Sequence, residues 1–202
     1  MVTHQKSVCV YIDNTLSWNI HCNKTFSKIN SKIAFFKRIQ LYLSDEMKRL
    51  YYNEYILPIT EWCCALSGHE CETKARMFKL RSRIARIILN PREKEAMYLF
   101  QQLNWLTFSH RYKYHVAVLV FKFLNGLALI YINDLITLSS NERYQLRSIT
   151  KTNLRTIPKP KTNILIKVFS YTTCKVWNEL PVAVRSTYVS TFQRNLKQYL
   201  LK

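Results

Sequence analysis

Apolar residues recur at three- and four-residue steps along most of this chain, and few breakers interrupt them. From about Ser17 to Leu43 the apolar line runs through Phe26, Ile29, Ile33, Phe36 and Ile39, while Lys24, Lys28, Lys32 and Lys37 fall elsewhere. Ser44-Asp45-Glu46 reads as a helix start: a serine N-cap followed by two acids where the helix dipole favours them. This second helix extends to about Leu66, bent at Pro58 and closed by Gly68. A third spans Thr73 to Leu89 and stops at Asn90-Pro91. Residues 94–103 form a short helix, and Thr107 opens a long apolar one that runs to about Leu124 and ends at Asn125-Gly126. Residues 7–12 are β-branched and apolar, a single strand stopping at Asp13-Asn14. Ser170–Glu179 and Ser190–Leu201 read as two helices around a turn at Pro181. The expected fold is mainly α, with a short N-terminal strand and a mixed, basic C-terminal module. It divides into a strand over 1–13, a helical bundle over 14–132, a linker with short strands over 133–163 and a helical module over 164–202.

The third helix carries the sharpest pattern. At 100° per residue, Arg76, Lys79, Arg83 and Arg86 share one face, and Met77, Phe78, Ile84, Ala85 and Ile88 share the other. Two readings fit the basic face, an ordinary solvated surface or a phosphate-facing one. Surface helices usually mix both signs, and between Thr73 and Leu89 this one has no acid. Arg81 falls among the apolar positions and must snorkel or pair. Lys159 and Lys161, set between and after prolines, read as a solvated loop or a second nucleic-acid contact.

Composition changes the picture in two ways. Two glycines in 202 residues leave almost no room for dinucleotide-binding or phosphate-cradling loops. A net charge of +19, from 31 basic and 12 acidic residues, points to a polyanionic partner. From Arg143 to Lys202 there are twelve Lys and Arg and one acid, Glu179. The six cysteines show no CxxC spacing and read as reduced thiols, mostly buried, which suits cytoplasm or nucleus. The most apolar stretch, Val116 to Ile132, is interrupted by Lys122, Asn125 and Gly126 and is not expected to span a bilayer.

The residue types that carry chemistry are thinly spread. Two-metal nucleotidyl transfer needs clustered carboxylates, and only Asp45 and Glu46 adjoin, where they cap a helix. Cys63, Cys64, His69 and Cys71 lie close in sequence without zinc-ligand spacing. No catalytic residue, metal or cofactor is assigned, and the chain is not expected to be an enzyme on its own. Trp18 and Trp177 are expected in the core rather than stacked on bases, Asp13 at the turn after the strand, and His21 packed or capping.

Several stretches resemble one family in order. Val10-Tyr11-Ile12-Asp13-Asn14-Thr15-Leu16-Ser17-Trp18-Asn19-Ile20-His21 is similar to the segment that follows the catalytic palm in the reverse transcriptases of non-LTR, LINE-type, jockey-like retrotransposons. Pro58-Ile59-Thr60-Glu61-Trp62-Cys63-Cys64, Arg83-Ile84-Ala85-Arg86-Ile87-Ile88 and Leu103-Asn104-Trp105-Leu106 with Arg111 resemble later family motifs. So do Leu146-Arg147-Ser148, Phe169-Ser170-Tyr171, Val176-Trp177-Asn178-Glu179-Leu180-Pro181 and Thr191-Phe192. The chain departs from the pattern at Cys9, where the family has Gly, at Ser67, where Trp is usual, and at Leu129, where Pro is common. The resemblance covers nearly the whole chain. It implies a thumb-like bundle and basic tail beyond a palm whose paired-aspartate box would lie upstream, with Met1 an internal methionine of the element. The implied partners are the missing palm and a template–primer duplex, gripped by its backbone. The rival expectation is a host-adopted helical protein that binds acidic protein or chromatin, or a remnant without function.

Overall fold

The computed structural model describes residues 4–7, 9–13, 18–62, 64–67, 71–90, 95–127, 157, 169–185 and 188–201. The chain is mainly α-helical, with a two-stranded sheet at its N-terminus. It divides into two compact units, Met1–Ser109 and His110–Lys202, with the break in the first turn of the apolar helix. The expected linker over 133–163 lies, apart from Ile157, outside the described residues, as do Gly68, Pro91, Lys159 and Lys161.

In the first unit the run expected as one strand over 7–12 is instead divided between the two arms of a hairpin. Strands β1 (His4–Ser7) and β2 (Val10–Asp13) pair antiparallel, Ser7 opposite Val10 and His4 opposite Asp13. Cys9 turns the chain at φ +66°, in the left-handed region where glycine is favoured. A single short strand would leave its backbone groups unpaired, and the hairpin satisfies them.

Helix α1 (Asn19–Ile39) buries a narrow line, His21, Cys22, Phe26, Ile29, Ile33 and Phe36, at the spacing the apolar pattern implies. Ser44 caps α2 (Asp45–Tyr51), its Oγ accepting from the Met47 N–H at 3.3 Å, with Asp45 and Glu46 in the first turn. The helix expected to run on to Leu66 does not stay regular. A π-turn over Tyr52–Ile56 precedes α3 (Leu57–Glu61), and the Leu57 N–H reaches back to the Tyr52 carbonyl. Pro58 has no N–H for an α-register bond, and the wider turn absorbs that loss. Trp62 then leaves helical geometry at ψ 120° before the one-turn α4 (Cys64–Ser67). Helices α5 (Cys71–Leu89) and α6 (Ala96–Gln102) complete the unit. α6 ends in a Schellman motif with Asn104 left-handed at φ +56°: Trp105 N–H bonds the Phe100 carbonyl at 2.8 Å and Asn104 N–H the Gln101 carbonyl at 3.0 Å.

The second unit is built from the rest of α7 (Phe108–Leu124), α8 (Phe169–Glu179) and α9 (Val189–Leu201). Phe121 stacks on Phe192 with centroids 4.3 Å apart, and the buried Trp177 lies 6.0 Å from Phe192. Lys113 bonds Glu179 at 3.0 Å. α7 closes at Gly126, φ +68°, with Leu127 N–H on the Lys122 carbonyl. At the end of α8 the Arg185 guanidinium donates to the Trp177 and Leu180 carbonyls, both at 3.0 Å, 5.1 Å from the Trp177 ring. The word Trp177-Asn178-Glu179-Leu180-Pro181 is thus a helix corner: two buried apolar side chains, a cation on the freed carbonyls, and a proline that starts the turn over Val182–Val184. No helix among the described residues is long and apolar enough to cross a membrane.

Candidate nucleic-acid interface

α5 is a plate with two chemically distinct sides. Met77, Leu80, Ile84, Ala85, Ile87 and Ile88 are buried beneath it, and Phe78 meets Phe100 of α6 edge-on at 5.5 Å. Arg81 sits among them, 1% exposed, and does not snorkel. Its Nε donates to the Tyr52 hydroxyl at 3.1 Å and its Nη1 to the Leu106 carbonyl at 2.6 Å. Its guanidinium lies 5.4 Å from both the Phe100 and Trp105 rings. Trp105 in turn stacks on Tyr52 at 4.0 Å. Arg81 is therefore an internal tie between α5, the π-turn and the segment entering α7. Charge-assisted bonds of this kind are the stronger ones, and aromatic faces add to them.

The outer side divides the four cations read from the sequence. Lys79, Arg83 and Arg86 are exposed, and among the described residues none of them forms an ion pair or side-chain hydrogen bond. They lie at four- and three-residue steps, so they span roughly 10 Å of helix. Arg76 behaves differently. Its guanidinium lies 3.9 Å from the Phe26 ring, donates to Asn23 Oδ1 at 2.8 Å and stands 3.7 Å from Glu72. The helix begins two residues earlier than expected, which brings Glu72 into its first turn, four residues before Arg76. Arg76 thus ties α5 to α1, and three cations of the stripe remain uncommitted. Lys159 and Lys161 lie outside the described residues, and the structure brings neither to this face.

Sequence reading passed over a second basic face. α1 contains Lys24, Lys28, Lys32, Lys37 and Arg38 and no acid. Lys24, Lys28 and Lys32 are exposed at four-residue steps, opposite the buried line. The absence of acids over residues 19–39 was the signal that marks it.

The remaining candidates settle into packing roles. His21 is buried, and burial, aided by the charge of Lys28, holds its imidazole below the usual histidine range. The Tyr11 N–H donates to its Nδ1 at 3.5 Å, tying the hairpin to α1. Trp177 is core, whereas Trp18 is only half-buried, left-handed at φ +61° and edge-on to His21. Cys22, Cys64 and Cys174 are buried thiols and Cys9 is exposed. Among the described residues no three His, Cys, Asp or Glu side chains gather into a group that could hold a metal. No family model, curated protein or solved structure matches the chain.

Proposed function

We propose that this chain is the post-palm part of an RNA-directed DNA polymerase from a non-LTR mobile element, and that α5 grips a template–primer duplex by its phosphates. The observation that carries the reading is the uncommitted set Lys79, Arg83 and Arg86 on one side of a helix whose other side is locked into the core. A cationic edge of this kind neutralises backbone charge, and an A-form-like duplex is met mostly through its phosphates and its shape. The order of the family-like words supports the same reading. In one of them, Arg83-Ile84-Ala85-Arg86-Ile87-Ile88, the arginines face out while the isoleucines and Ala85 are buried. The partners in this reading are nucleic acid and the palm of the full element, with no chemistry performed by this region alone.

Fluorescence anisotropy against an RNA–DNA hybrid, duplex DNA and heparin at several salt concentrations tests it. Each neutralised duplex phosphate contributes about −0.9 to the log–log salt slope, so three cations give about −2.7. Tighter binding to the hybrid with such a slope supports the grip. Equal binding to hybrid, duplex and heparin reduces the charge to a generic one and favours the rival, a protein that binds acidic partners.

A further inference from the structure

A different face of the first unit joins aromatic rings to cations. Phe36, fully buried in the core, stacks on Tyr51 with centroids 4.6 Å apart and planes 19° apart. Tyr51 stacks on Tyr55 at 5.2 Å and 22°. The three rings form a near-parallel ladder that climbs from the core to the surface, where Tyr55 is 55% exposed. Phe35, 53% exposed, stands 6.3 Å from Tyr51. The ladder is anchored: the Tyr51 hydroxyl donates to the Lys32 carbonyl at 3.2 Å, and Tyr55 rides on the π-turn that Pro58 imposes. Lys32 Nζ lies 5.6 Å from the Tyr55 centroid, and Lys32 is the last of the exposed Lys24, Lys28, Lys32 row.

We propose that the Tyr51–Tyr55 ladder with Phe35, beside the Lys24–Lys28–Lys32 row, is a binding site for single-stranded nucleic acid, with a base stacked on the exposed rings and the backbone following the lysines. The site shares no residue with the duplex-gripping edge of α5 and stands whether or not that grip exists.

Three features select this occupant. An apolar protein partner would be met by α1, whose five cations are balanced by no acid in the same helix, whereas a phosphate chain needs that imbalance. Rings held parallel by a core-anchored stack offer a flat, low-entropy surface of the kind bases use. A duplex has its bases already stacked on each other and offers no free face, so the ligand must be single-stranded. The lysine row rises about 12 Å over its eight residues, enough to follow more than one phosphate. Tyrosine stacking is sequence-tolerant, so little base preference is expected.

The test uses the full chain and a labelled oligothymidylate of about 15 nucleotides, with an RNA–DNA hybrid as the second probe. Phe35→Ala/Tyr55→Ala is expected to weaken oligothymidylate binding at least fivefold, by the usual loss per stacked base, and to leave hybrid binding unchanged. Tyr55→Phe keeps the ring and is expected to retain wild-type affinity, which separates stacking from any loss of fold. Arg83→Ala/Arg86→Ala is expected to weaken the hybrid and spare the oligothymidylate, so the two sites fail independently. Unchanged oligothymidylate affinity in Phe35→Ala/Tyr55→Ala overturns the proposal, as does an equal loss for both probes. Dissociation of a self-associated protein by Tyr55→Ala in sedimentation, at unchanged oligothymidylate affinity, overturns it in favour of an interface between copies.

Discussion

The two long helices of the first unit, α1 and α5, carry similar charge on very different foundations. α1 is 21 residues long and buries six of them; its other faces hold five cations, no acid and the exposed Phe35. α5 is 19 residues long and buries Thr73, Met77, Leu80, Arg81, Ser82, Ile84, Ala85, Ile87 and Ile88. Two of its six cations have been drawn into the structure, Arg81 inward and Arg76 sideways. A basic residue on a helix is therefore not automatically available to a ligand. What lies within reach of its side chain decides, and the more deeply packed helix has lost Arg81 and Arg76 to partners within the fold.

The most damaging way to break this contrast is at Arg81. Arg81→Ala removes buried side-chain volume and leaves the Tyr52 hydroxyl and Leu106 carbonyl without this donor, so a loss of about 3 kcal/mol is expected. Urea unfolding measures it, and the neighbouring Arg83→Ala is expected to stay within about 0.5 kcal/mol of wild type. Equal effects at the two positions would sink the division into tie and free edge. Arg81→Lys should also destabilise, because an ammonium cannot reproduce the guanidinium fork.

The outer edge is sharpened by Arg83→Ala/Arg86→Ala. Affinity for a duplex should fall for all sequences alike, and the salt slope should flatten by about 1.8. Arg76→Ala should flatten it less, because that guanidinium is held by Asn23, Phe26 and Glu72. A full unit of slope lost with Arg76 would show that its internal contacts yield to phosphate.

Smaller effects belong to the hairpin that rests on α1. Cys9→Gly should stabilise by roughly 0.5–1 kcal/mol, since a left-handed residue costs a side chain about 1–2 and glycine gives part of that back in chain entropy. Thermal unfolding in reductant reads the difference; destabilisation would mean that the turn depends on the cysteine side chain.

The smallest is a pH effect at His21. Its folded-state pKa lies below the unfolded value near 6.5, so the unfolded chain binds more protons between the two. Stability contributed by the neutral imidazole is present above about pH 6.5 and falls as pH drops toward the folded pKa. Protonation also takes the Nδ1 acceptor away from the Tyr11 N–H. His21→Asn should flatten that part of the stability profile, and an unchanged profile would remove His21 as its source.

Much of the local architecture was legible from residue order. The spacing of Phe26, Ile29, Ile33 and Phe36 gives the buried line of α1, Ser44 with its acids gives the start of α2, and Asn125-Gly126 gives the end of α7. The opposed faces of α5 were legible too, because helical periodicity alone separates Lys79, Arg83 and Arg86 from Ile84 and Ile88. The hairpin was missed because its turn uses a left-handed cysteine, which carries no turn signal. The π-turn was missed because Pro58 signals a bend without specifying how the backbone absorbs it.

By itself, then, the sequence determined most of the helices and the sign of the surface, since periodicity, capping and net charge act between residues a few positions apart or sum over the whole chain. Only the tertiary structure decided which cations are spent and which rings are shown. Arg76 meets Asn23 across 53 residues, Arg81 meets Tyr52 across 29 and Leu106 across 25, and Tyr51 finds Lys32 across 19. Those partners are chosen by how α1, α5 and the π-turn pack, and a guanidinium that is hydrogen-bonded inside the core is not available to a phosphate outside it.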